Sequence, residues 1–143
     1  MLVDHERLVP LSVDECWGLL ASQPIGRIGL VRDGAPLVLP VNHAVAGDCI
    51  VFRTGVASAP LPFDGEIVAF EVDGTDLLHR TGWSVLVTGA ARRVVLPEGM
   101  DVPVVPWAGG DRPVLVAIVP QQISGRVLTG LRVDWAQDLR GYL

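Results

Sequence analysis

The side chains best suited to chemistry fall in four short blocks, each at the start or end of an apolar, strand-like run. In Phe52-Arg53-Thr54-Gly55-Val56-Ala57-Ser58, an arginine, two hydroxyls and a glycine follow such a run. Together they can surround a phosphate. Arg53 offers a bidentate fork, Thr54 and Ser58 donate hydroxyls, and Gly55 lets the backbone approach. The same residues also fit an ordinary turn with an exposed arginine. Gly82-Trp83-Ser84-Val85 opens a strand. Its indole can line a flat cofactor or fill a groove between subunits, and can equally plug the mouth of a barrel. Pro40-Val41-Asn42-His43 ends a strand in which Pro40 removes a ladder donor, so an edge or a bulge is expected there. His43 can titrate near neutral pH, although a lone histidine is more often a packing or surface residue. Ile123-Ser124-Gly125-Arg126 offers a second anion contact through Arg126, or a strand that ends in a solvated arginine.

Several chemistries are absent from the sequence. His5, His43 and His79 have no metal-ligand spacing with Cys16 and Cys49, so no metal site is expected. There is no G-x-G-x-x-G, Walker A or G-x-S-x-G stretch. Nothing positions a Ser/His/Asp triad, and no catalytic residue is assigned.

Charge narrows the partners. The chain carries a formal net charge of −5, and all 11 of its basic residues are arginine. An acidic, lysine-free protein is poorly suited to neutralising many phosphates, so no nucleic-acid partner is expected. Any anion site must use arginine, hydroxyls or backbone N–H groups. No apolar run reaches the roughly 18 residues of a membrane span, and Met1 to Pro10 lacks the apolar core of a signal peptide. Two cysteines make no disulfide framework. A cytoplasmic protein without a membrane partner is the expectation.

The elements that must position these blocks read as one helix followed by strands. Ser12 and Glu15 form a capping box, with Leu11 and Cys16 as a hydrophobic staple. Cys16, Leu19 and Leu20 then share one helical face, and Gln23-Pro24 ends the helix. Ile25 to Arg32 and Ala35 to Val41 form a hairpin around Asp33-Gly34, and Gly47-Asp48 turns into Cys49 to Thr54. Glu66 to Asp73, Trp83 to Leu96 with a bend at Gly89, Pro113 to Val119 and Ile123 to Leu128 complete the strands. Leu96 to Gly110 reads as a loop with one helical turn near Pro97-Glu98, and Trp135 to Leu139 as a short helix. The 143 residues make one domain. Its class is mainly β: a small barrel or sandwich of six or seven antiparallel strands with an N-terminal helix.

The ordered set of blocks resembles the pyridoxamine 5′-phosphate oxidase-like family over nearly the whole chain. The resemblance rests on Gly26-Arg27, Pro40-Val41-Asn42, Phe52-Arg53-Thr54, Val68-Ala69-Phe70-Glu71-Val72-Asp73, Gly82-Trp83-Ser84-Val85-Leu86-Val87 and Ile123-Ser124-Gly125-Arg126. It implies a Greek-key-like split β-barrel homodimer with cofactor sites at the subunit interface. The ligand implied is FMN, or in related branches the deazaflavin F420. Arg53, Thr54 and Ser58 would lie near the phosphate, Val41 and Asn42 near the ring, with Trp83 and Ser84 close by and Arg126 as a second anion contact. The implied activity is an oxidoreductase moving a hydride to or from a small organic substrate, which the sequence does not identify. One departure stands out. Where the family usually carries a lysine after the Ser58 position, this chain has Ala59 and then Pro60-Leu61-Pro62. Loss of a charged phosphate partner costs on the order of 1.5–3 kcal/mol. Two alternatives therefore stay open: a flavin- or flat-ligand-binding protein without turnover, and a structural dimer that has lost its cofactor.

Overall fold

Helix α1 spans Val13–Ser22 and begins as the sequence predicts. Ser12, in extended backbone, accepts from the Glu15 N–H at 3.1 Å, and the Glu15 carboxylate accepts from the Ser12 N–H at 3.1 Å. The reciprocal box satisfies two amides that a helix start otherwise leaves unpaired. Those bonds hold the Glu15 carboxyl below the usual range. Cys16 and Leu20 are fully buried, with Leu11, Trp17 and Leu19 packed beside them. The helix stops at Gln23, in extended backbone, ahead of Pro24.

This computed structural model describes residues 8–54, 62–102, 104 and 114–129. Its strands are β1 (Leu8–Pro10), β2 (Ile25–Arg32), β3 (Ala35–Ala46), β4 (Cys49–Thr54), β5 (Ile67–Asp76), β6 (Thr81–Val94) and β7 (Val114–Leu128), all paired antiparallel. Two-residue turns set the first registers. Asp33 and Gly34 both take positive φ, 52° and 77°, as a type I′ hairpin demands, and Gly47 takes φ 58° in the next turn. Strands β2, β3 and β4 run as consecutive hairpins, and β5 returns to lie beside β2, which is a Greek key. Strand β7 then pairs with β4 on one side and β6 on the other, so the pairings close into a ring. The ring is thin in places: β2 meets β5 over three residues and β3 meets β4 over four pairs. This is a split β-barrel.

Alternation along each strand fills the barrel. Ile28, Leu30, Ile50, Phe52, Val68, Phe70, Val72, Val85 and Val87 point inward and are buried, together with Cys16 and Leu20 of the helix that closes one end. A second, smaller cluster lies outside the barrel. There Val51, Leu115 and Ala117 are covered by Leu96, Val102 and Val104.

The structure departs from the sequence reading in five places. Strand β3 continues through Asn42 and His43 to Ala46, because the Gly47 turn holds its far end against β4. Pro40 faces only β2, since β4 pairing begins at His43, so the edge expected there is local. The two strands expected at 113–119 and 123–128 are one, β7, carried through Pro120 by a bulge: Gly89 pairs with Pro120 and Thr88 with Gln122. A proline is tolerated at such a register break. Gly89 is indispensable there, because a Cβ would sit 2.0 Å from the Val119 carbonyl oxygen. Pro97 to Met100 is a single β-turn and not a helical one, with Gly99 at φ 80° and the Met100 N–H donating to Pro97 O. Strand β1, too short to show periodicity, is an addition. Ser58, Ala59, Trp107 and the helix expected at 135–139 lie outside the described residues. Among the described residues, no helix is long and apolar enough to cross a membrane, and no group of three metal-ligating side chains gathers.

Candidate functional site

Four of the residues singled out by the sequence flank the point where β3 and β4 part. The ladder ends at His43 opposite Phe52, so Asn42 and Arg53, then Val41 and Thr54, are next in register across the gap. Asn42 turns toward the helix exit, its Nδ2 donating to Pro24 O at 3.3 Å, and the His43 N–H reaches the same carbonyl at 3.2 Å. Side chains alternate along β4. Thr54 therefore follows Ile50 and Phe52 inward and is buried, while Arg53 follows Val51 outward. The hydroxyl of Thr54 and the guanidinium of Arg53 leave the strand on opposite faces. Arg53 lines a cleft of about 430 Å³ with Val94, Leu96, Met100, Asp101 and Leu115, and donates to the Asp101 carboxylate. The same carboxylate oxygen accepts from the Val102 N–H at 2.9 Å. Ser58 lies outside the described residues.

The other three sit at the far end of β7. Ser84 is directly opposite Arg126, and Trp83 opposite Val127. Trp83 keeps the inward parity of Val85 and packs on the core. Its indole lies over Gly74, where a Cβ would fall 2.6 Å from Nε1. With Leu11, Gly18, Leu19 and Val127 it lines an apolar groove beside the helix. Ser84 points outward into an open cleft of about 460 Å³ with Ser124, Arg126, Leu86, Leu8 and Pro10. Within the described residues, Arg126 makes no hydrogen bond or ion pair. Ser124 belongs to this cleft: its i, i+2 spacing places it on the same side of β7 as Arg126, and the register of β6 on β7 brings Ser84 beside them.

The two arginines are well separated. Arg53 is opposite Leu115, eleven residues along β7 from Arg126. At about 3.3 Å per residue that is roughly 36 Å of strand. One protomer cannot close both arginines on a single phosphate.

Three titratable groups lie near these features. His43 is 7% exposed, with Nε2 2.7 Å from Leu20 O and its ring edge-on to Phe70 at 5.0 Å. Its Nδ1 is buried without a partner among the described residues. Burial lowers its pKa, opposed in part by the bond to Leu20, so the ring is neutral and ties β3 to the helix. Glu71 and Asp73, one apart on the outer face of β5, were missed as a pair by sequence reasoning, although their i, i+2 spacing places them on one side of a strand. Burial, then the hydrogen bond and charge of Asp73, push the Glu71 carboxyl up to about 7, and Arg27 opposes the shift from 3.9 Å. Arg27 lies closer to Asp73, at 3.4 Å. Asp73 is also directly opposite Ser84, so this charged row borders the Arg126 cleft.

Comparison with known proteins fits this architecture. The sequence profile described as pyridoxamine 5′-phosphate oxidase matches residues 12–127. An uncharacterized protein of Mycobacterium tuberculosis is 36% identical over 135 residues, covering 88% of this chain and 86% of that one. Among solved structures, an FAD binding protein of Mycobacterium smegmatis shares 31% identity with a TM-score of 0.67, over 84% of this chain and 97% of its own. A candidate pyridoxamine 5′-phosphate oxidase of Corynebacterium glutamicum shares 27% identity with a TM-score of 0.70, over 90% and 98% of the two chains. A profile match across most of the barrel, with the helix cap at its start and Arg126 near its end, makes this chain a member of the pyridoxamine 5′-phosphate oxidase family.

Proposed function

We propose that the protein binds a flavin nucleotide at the interface of a homodimer and serves as an oxidoreductase on a small organic substrate. Family membership supports the flavin, and the named ligand of the M. smegmatis relative places FAD beside FMN and F420 as a candidate. The observation that carries the reading is the open cleft lined by Ser84, Ser124 and Arg126, in which a guanidinium and two hydroxyls have no partner among the described residues. That donor set fits a phosphate. A bound flavin supplies hydride transfer, which no side chain of this protein can. The protein supplies anchoring and exclusion of water. Arg126 and Arg53 would hold anionic groups, Ser84 would donate to the ring or phosphate, and Val41 and Asn42 would line one edge. The strand distance between the arginines favours a dimer, because a site using both must draw one from each copy.

A second reading is supported by Arg53. Its guanidinium is taken by Asp101, and Ala59 stands where the family's lysine is expected. Both features suit a dimer that has lost its cofactor. Visible absorbance of the purified protein, before and after titration with FMN, FAD or F420, separates the two. Binding should weaken about tenfold or more in Arg126→Ala, since a charge-assisted contact is lost, and light scattering should give a dimer mass. A monomer that binds none of the three would sink the flavin reading.

A further inference from the structure

The arrangement around Arg53 is that of an anion site already filled from within. Arg53 emerges on the outer face of β4, and its side chain is only 21% exposed. A strap crosses that face: Leu96 on one side and Val102 and Val104 on the other are packed against Val51, Leu115 and Ala117. Between these anchors, the turn at Pro97–Met100 delivers Asp101. One Asp101 oxygen accepts from both the guanidinium and the Val102 N–H. An arginine and a backbone amide converging on one oxygen is how proteins hold a phosphate. Yet the carboxylate itself is 77% exposed, so water screens the pair and its net contribution is small.

We propose that Asp101 is an internal stand-in for a phosphate monoester on Arg53, and that it sets the charge an anion must carry to bind there. The inference rests on the reading of Arg53 as a cofactor anchor. A monoanion gains little by replacing one carboxylate with another. A phosphate monoester carries about −1.5 to −2 at neutral pH and outcompetes it. The exchange needs only rotation of the Asp101 side chain, because the anchors of the strap on both sides of the turn can stay in place.

The test is fluorescence titration of FMN and riboflavin against the wild type, Asp101→Asn, Arg53→Ala and the double variant at low salt. Asparagine keeps an oxygen for the Val102 N–H while removing the competing charge. Asp101→Asn should bind FMN about 1.5- to 5-fold more tightly, the range an exposed ion pair spans. Riboflavin, which lacks the phosphate, should bind all four forms alike, and the gain should vanish when Arg53 is alanine. If Asp101→Asn binds FMN no better while Arg53→Ala binds it worse, Asp101 is no competitor and the anchor reading survives alone. A gain that persists without Arg53 also overturns the proposal. Unchanged FMN affinity in Arg53→Ala, or no FMN binding by any form, overturns both.

Discussion

Gly26 and Phe70 give the sharpest test of how the barrel is packed. Gly26 faces inward on β2, and an added Cβ would lie 2.2 Å from Phe70 Cζ and 2.8 and 2.9 Å from its two Cε atoms. Ordinary carbon contacts begin near 3.5 Å, so the ring must retreat by more than 1 Å, on the order of the shift that overpacking forces. It has nowhere to go: Phe70 is fully buried, and His43 stands against it with ring centres 5.0 Å apart. Overpacking of this kind costs about 1–3 kcal/mol. Removing a glycine from the unfolded chain offsets about 0.4–1 kcal/mol of that. Gly26→Ala should therefore lose about 1–2 kcal/mol. At roughly 2 cal/mol/K of unfolding entropy per residue, this chain should melt about 3–7 °C lower. Thermal denaturation followed by circular dichroism reads it directly. In a Phe70→Leu background the obstructing ring is gone, so the same substitution should cost at least about 0.5 kcal/mol less. An unchanged melting temperature, or equal costs in both backgrounds, would refute the packing argument.

Two further expectations concern the helix and the buried histidine. Ser12→Ala removes the acceptor for the Glu15 N–H and should cost about 1 kcal/mol in denaturant unfolding, leaving flavin affinity untouched. A loss of ligand with no loss of stability would mean that the helix start has another role. For His43, the folded pKa lies below its ordinary 6.5, so the unfolded chain takes up the proton first as pH falls. Its contribution to stability is full above about 6.5 and is lost as pH drops toward the folded value. His43→Phe should flatten that fall when unfolding is compared at pH values above and below this window, and an identical slope in both proteins would remove His43 as its source.

Much of this architecture is written locally in the chain. The Ser12–Glu15 box, the proline that ends the helix, and the Asp33-Gly34 and Gly47 turns each depend on residues a few positions apart. Their physics is steric and local, so it acts before any strand finds its partner. The alternation within β2 likewise marks which side chains face inward. What local patterns do not contain is the partner across the sheet. Arg53 and Thr54 are adjacent in sequence yet point to opposite faces, and Arg53 and Arg126, both read as anion contacts, end up at opposite ends of β7. Ser124 joins Ser84 only through the register of β6 on β7, and Glu71 meets Arg27 only because β5 returns beside β2. Asp101 carries no signal in sequence at all; it reaches Arg53, forty-eight positions away, because Leu96, Val102 and Val104 bury against the outer face of the barrel. The sequence alone marked the helix, its caps, the turns and most of the strands, whereas the site depends on pairings between distant strands, and those were decided by closing the barrel around one core.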